Sequence, residues 1–165
     1  MNARKAILLL GVALLLVGCK SKQIARYDYE STIVEVGTQG TAVVKAWGEG
    51  RTIAAAKVDA KRNAVYSILF KGFPSANGIN STDLRPMITN ANAEQQHYDY
   101  FKKFFEDDGK FLQYVRFADE QGRIGLGDAV STSKGHKVGV VVVVDKRALR
   151  QEMENQGIVP KFGIN

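Results

Sequence analysis

The chain has 165 residues, with 23 Lys+Arg against 17 Asp+Glu and one cysteine, Cys19. A lone cysteine excludes an intrachain disulfide, and with two histidines, His97 and His136, it leaves no dense soft-metal set. A chain of this length buries one ordinary hydrophobic core, which predicts a single domain.

Arg4 and Lys5 form a short positive segment, and Ala6 to Val17 is an apolar run of about a dozen residues. That length suits the apolar region of a signal peptide and falls short of the ~18–20 residues that span a bilayer. The run ends Leu16-Val17-Gly18-Cys19, which resembles the lipobox of bacterial lipoproteins. The resemblance implies cleavage before Cys19 and acylation of its thiol and new N-terminus. Residues 1–18 are then the signal peptide, 19–30 the lipidated cysteine and its tether, and 31–165 one domain. Without Arg4 and Lys5, 21 cationic side chains face 17 carboxylates, a net +4. That excess suits an ordinary solvated surface or one near anionic head groups or cell-wall polymers. Nucleic acid is not an expected partner for an exported, lipid-tethered chain. Lys20, Ser21, Lys22 and Gln23 follow the cysteine, with no acidic run and no Asp at position 20. By the same resemblance, that composition points to an outer membrane and its periplasmic face.

Ser31 to Gly48 is predicted to be a β-hairpin, with β-favouring Ile33, Val34, Val36 and Val43, Val44, Ala46, Trp47 on either side of Thr38-Gln39-Gly40. Gly48-Glu49-Gly50 ends the second strand. A long helix then runs over about 51–71, free of Gly and Pro and closed by Gly72 and Pro74. At 100° per residue, Ile53, Ala56, Ala60, Ala64 and Ile68 share one face. Ala54, Val58, Val65 and Leu69 form an adjacent strip, and Asp59, Arg62, Asn63 and Tyr66 lie opposite. Small side chains at 56, 60 and 64 would let this helix approach the hairpin closely. Lys57 and Lys61 fall inside the apolar arc, where their methylenes can lie along packed surface with the ammonium groups in water.

Residues 73–93 read as a long insertion loop, rich in Asn and interrupted by Pro74, Gly78 and Pro86. A short helix is expected over 94–106, a strand over 111–117, and a Gly-rich segment with one irregular strand over 123–133. Lys137 to Val144 is apolar on both faces and belongs in the middle of a sheet. Asp145 is a good N-cap for a helix over 146–156, with Gly157 at its C-terminal end. Strands flanking one main helix, without regular βα alternation, predict an α+β fold with a mainly antiparallel sheet.

No catalytic set stands out. Gly48-Glu49-Gly50 lies between strand and helix, but the third glycine of a dinucleotide fingerprint would fall at Ile53, so the glycines are read as a tight turn. Ser131 to Lys134 spells S-x-x-K without the companion motifs that give it meaning. His97 and His136 read as surface residues, and Glu106, Asp107 and Asp108 as a solvated turn. Tyr98, Phe101 and Phe105 at helical spacing suggest core packing. The alternative is a stacking platform for a glycan or small molecule, in which Trp47, Tyr98 and Tyr100 would take part. Lys57 and Lys61 are the candidate partner surface. No metal or cofactor is expected.

Ala46, Gly48 and Gly50, the alanines at 56, 60 and 64, and the closing strand and helix from Val138 to Gln156 carry a further resemblance. They are similar to the small β-α-β envelope lipoprotein family that also supplies the N-terminal domain of the flagellar accessory protein FlgT. The stretch from Phe73 to Gly109 departs from that family's compact pattern. The resemblance implies an accessory or assembly module without catalysis. The leading expectation is a non-enzymatic, membrane-anchored envelope lipoprotein with a protein partner, and the alternative is a periplasmic ligand-binding lipoprotein.

Overall fold

A computed structural model describes residues 31–161 apart from 38, 77 and 134. The signal peptide, lipobox, Cys19 and tether lie outside the described residues. The fold is α+β, with a five-stranded antiparallel sheet and one long helix packed across it. β1 (Ser31–Val36) and β2 (Thr41–Gly50) form the expected hairpin, with Gly40 at φ +75° in its turn. β2 pairs along its whole length with β5 (Gly135–Asp145), whose other edge is shared by two short strands. β3 (Val115–Phe117) pairs near the C-terminal end of β5, and β4 (Ala129–Thr132) near its start.

The strand period sorts β2 and β5 into two faces. Ala42, Val44 and Ala46 of β2 lie opposite Val144, Val142 and Val140 of β5, and all six are buried. This inner face carries the helix α1 (Ile53–Tyr66), which continues as a π-helical turn over Ser67–Lys71. Thr52 caps α1, its hydroxyl accepting the Ala55 amide at 3.1 Å. Ala56, Ala60 and Ala64 are fully buried in α1. A Cβ at Gly48 would stand 2.1 Å from the Ala60 amide nitrogen, and one at Gly50 would stand 2.5 Å from that of Ala56. The glycines therefore do more than turn the chain: together with the alanines they set how close helix and sheet approach.

The polar arc of α1 is not solvated. Asp59, Arg62, Asn63 and Tyr66 are all buried, because the aromatic segment that follows closes over that side. Arg62 makes this tolerable. Its guanidinium donates to Asp59 and Asp107, each at 2.7 Å, and to the Phe105 carbonyl at 2.9 Å. Asp59 also accepts the Glu49 amide at 2.9 Å, and Asn63 donates to the Trp47 carbonyl at 2.8 Å. The network ties the end of β2 to the helix.

The 73–93 segment contains a single helical turn, α2 (Ser81–Leu84). It is strapped to the π-helical turn that continues α1: the Met87 and Ile88 amides donate to the Ile68 and Leu69 carbonyls at 2.9 Å each. The helix expected over 94–106 is broken at His97 into α3 (Ala93–Gln96) and α4 (Tyr98–Phe104). The strand expected over 111–117 is corrected. Lys110–Tyr114 is a 3₁₀ turn, and only Val115–Phe117 is strand. Phe111 and Val115 are both buried, a spacing of one helical turn that the apolar alternation concealed. α5 (Lys146–Asn155) is capped by Asp145, which accepts the Ala148 amide at 2.9 Å, and Gly157 follows it at φ +69°.

Candidate functional site

Among the described residues, the residues singled out from sequence fall into three separate places. The first is the outer face of the sheet. Trp47 alternates with the buried Ala46 and Gly48, so it points away from α1. A Cβ at Gly139 would stand 3.1 Å from the indole, so the ring lies close over bare backbone. The ammonium groups of Lys45 and Lys137 lie 5.9 and 5.6 Å from its centroid. Val43 faces Val143 across the strand pair, and Val141 faces Lys45. A bulge between Ile33 and Glu35 sets Val34 beside them on β1. Val34, Val130 and Val141 are 56%, 51% and 37% exposed. Lys45 also donates to Asp128 at 2.7 Å. No helix covers this face among the described residues, so an apolar strip interrupted by Lys45 meets solvent.

The second place is the lysine pair. Lys57 and Lys61 are half-buried on α1, above β3. The Lys61 Nζ stands 3.9 Å from the Phe117 ring centroid and the Lys57 Nζ 5.8 Å from it. Lys57 donates to the Gln121 carbonyl at 3.2 Å. Burial pushes the Lys61 ammonium below its ordinary range. Neither lysine meets a carboxylate among the described residues.

The third place is centred on Tyr100, whose ring packs 5.2 Å from Phe101 and 5.5 Å from Phe104, both buried in the core. Its hydroxyl donates to Glu152 of α5 at 3.0 Å. Lys110 reaches the same carboxylate oxygen at 2.7 Å. Burial, then the Glu152 hydrogen bond and charge, push the Tyr100 phenol above its ordinary range. Burial and the Glu152 charge do the same to Tyr114. The hydrogen bond to Glu152 raises Lys110. For Glu152 itself, burial favours the neutral acid, but the Lys110, Tyr100 and Gln156 contacts outweigh it and hold the carboxyl below the usual range. The cluster joins α4, the 3₁₀ turn and α5.

Trp47 is thus on the sheet's outer face while Tyr98 and Tyr100 ride on α4 in the helical layer, so the three do not assemble into one platform. A depression of about 370 Å³ beside the 73–93 segment is lined by Val34, Val36, Ile79 and Asp83 among others, and by none of those aromatics. A smaller one, about 210 Å³, holds Glu49, Arg51, Thr132 and His136. Ser131 sits in strand β4, without the helical turn that S-x-x-K chemistry needs. Among the described residues no three His, Asp or Glu side chains gather to hold a metal, and no helix is long and apolar enough to cross a membrane.

Sequence reasoning missed the Asp59–Arg62–Asn63 network and the Glu152 cluster. The first had a signal, opposite charges at i, i+3 on a helix whose other faces are already apolar. The second had none, since its members come from distant segments. No known protein family, no curated protein and no solved structure matches the chain.

Proposed function

We propose that this chain is a lipid-anchored envelope protein of the outer membrane, facing the periplasm, whose α+β domain binds a protein partner and carries no catalysis of its own. The uncovered outer sheet face is the observation that carries the partner half of the reading. Val34, Val43, Val141, Val143 and Trp47 share this face across three paired strands, with Lys45 among them between Val43 and Trp47, and Lys137, Arg116 and Glu35 around them. An exposed apolar patch that includes an aromatic ring and has a polar surround is the composition of a protein interface. The anchor half rests on Leu16-Val17-Gly18-Cys19, where two or three acyl chains at ~0.8 kcal/mol per buried CH₂ would hold the domain at a membrane.

A photo-crosslinking residue in place of Val141 tests the surface in the native envelope. A discrete protein adduct is expected, and adducts with lipid alone would refute the reading. Cys19→Ser should abolish palmitate labelling and release the protein from the membrane fraction. A variant still labelled and membrane-bound would overturn the anchor.

A further inference from the structure

The lysine pair carries an inference of its own. Elsewhere among the described residues, four half-buried or buried cations meet acids: Lys45 meets Asp128, Arg62 meets Asp59, Lys146 meets Asp83 and Arg150 meets Glu154, while half-buried Lys137 lies over the Trp47 ring. Lys57 and Lys61 meet no acid among those residues. They sit one turn apart on α1, where like charges repel, and both converge on the Phe117 ring. The ring accounts for where the ammonium groups are, through its quadrupole. It supplies no net charge to balance them. The turn after β3 adds a carbonyl, that of Gln121, and holds two acids: Asp119, turned onto the Gln121 and Arg123 amides, and exposed Glu120, which forms no ion pair with either lysine. Further along the same helical line, Ile53 is 45% exposed.

We propose that Lys57 and Lys61, seated on Phe117, are the docking point for an acidic segment of a protein partner, one that offers two carboxylates on alternate residues of an extended strand. Four residues of helix at 1.5 Å each set the two lysine α-carbons roughly 6 Å apart along the axis, and alternate side chains of an extended strand, about 6.6 Å apart, bring one carboxylate within reach of each. Ile53 then meets an apolar residue at the end of that segment. Partial desolvation of Lys61 adds to the case, because an arriving carboxylate restores the favourable surroundings that burial removed. The proposal rests on the protein-partner reading and names the partner's chemistry.

The test uses the full chain in detergent micelles and a ten-residue peptide of alternating glutamate and serine. Wild type should bind it, with affinity falling as salt rises. The double substitution Lys57→Gln with Lys61→Gln should weaken binding about tenfold or more, as expected for lost charge-assisted contacts. The control pair Lys102→Gln with Lys103→Gln, exposed on α4, should change it less than about twofold. In dimethyl-lysine NMR the Lys61 titration should move upward when the peptide is present. The proposal is overturned if wild type does not bind, if the double variant binds as well as wild type, or if the control pair weakens binding equally. It is also overturned if phosphatidylglycerol vesicles, and not the peptide, depend on Lys57 and Lys61. Failure here with a Val141 protein crosslink intact removes this proposal alone, whereas loss of both removes the protein-partner reading as well.

Discussion

Gly48→Ala should be strongly destabilising, although alanine in place of glycine ordinarily favours a strand by about 0.5–1 kcal/mol. The added Cβ would stand 2.1 Å from the Ala60 amide nitrogen, 2.3 Å from the Ala56 carbonyl oxygen and 2.7 Å from the Asp59 carbonyl carbon, where ordinary contact begins near 3.4 Å. All three are helix backbone, so no side-chain rotation relieves the overlap. α1 would have to retreat by roughly 1 Å, and a gap of that size forfeits a quarter to a half of each dispersion contact it opens. The Asp59–Glu49 and Asn63–Trp47 hydrogen bonds span the same gap and would stretch with it. A loss of about 3 kcal/mol follows, at the upper end of overpacking effects, and corresponds to a fall in Tm of roughly 10 °C for a domain of this size. Urea unfolding followed by circular dichroism measures it. Adding Ala60→Gly should not restore stability, because the obstacle is backbone. Gly127→Ala, which has no neighbour within 4 Å at φ +84°, should lose only about 1 kcal/mol through backbone strain. If Gly48→Ala lost less than about 1 kcal/mol, or if Ala60→Gly rescued it, the glycine would not be the seat of the helix.

Three further outcomes are expected. Asp59→Ala leaves Arg62 Nη1, the Glu49 amide and one Asn63 hydrogen bond without their acceptor, while Asp107 and the Phe105 carbonyl still hold the rest of the guanidinium, and should lower unfolding free energy by about 2 kcal/mol, read from the urea midpoint. Glu152 holds its proton less tightly in the fold than at the ordinary value near 4.5, so its stabilisation is full above that value and is lost as pH falls through the lower folded pKa. Glu152→Gln should therefore flatten the acid limb of the stability-against-pH curve, and an unchanged limb would show that Glu152 contributes nothing to it. The Met87 and Ile88 amides should exchange with solvent as slowly as those in the last turns of α1, despite lying in a long connection. Exchange at open-loop rates would show that the strap is not formed.

Where the sequence speaks through local chemistry, it reads well. Val138 to Val144 is β-branched on both faces and forms the strand that every partner except β1 pairs with. Ala56, Ala60 and Ala64 stand on the face that meets the sheet. Asp145 caps the last helix through the expected side-chain oxygen. What failed depended on distant covering. Hydropathy at helical period marked Asp59, Arg62 and Asn63 as outward, yet Phe105, Asp107 and Phe111 close over them, and mutual neutralisation makes that burial affordable. Apolar residues at 111, 115 and 117 fit a strand as well as a 3₁₀ turn, and the core decided between them. For the site, Lys57 and Lys61 were visible as an irregularity in the apolar arc. Their aromatic seat was not, since Phe117 lies more than fifty residues downstream.

The position of β5 has a consequence for how the chain is made. Among the described residues it is the last strand in sequence and the one with which β2, β3 and β4 all pair. Until residue 145 is available, the β1–β2 hairpin has no third strand and α1 has only half a sheet to rest on, and isolated hairpins are marginal in water. A chain delivered from its N-terminus therefore cannot complete this sheet until residue 145 has arrived, and then closes it through contacts as distant in sequence as Gly50 with His136. A chain whose central strand comes so late would stay threadable if it were passed through a pore.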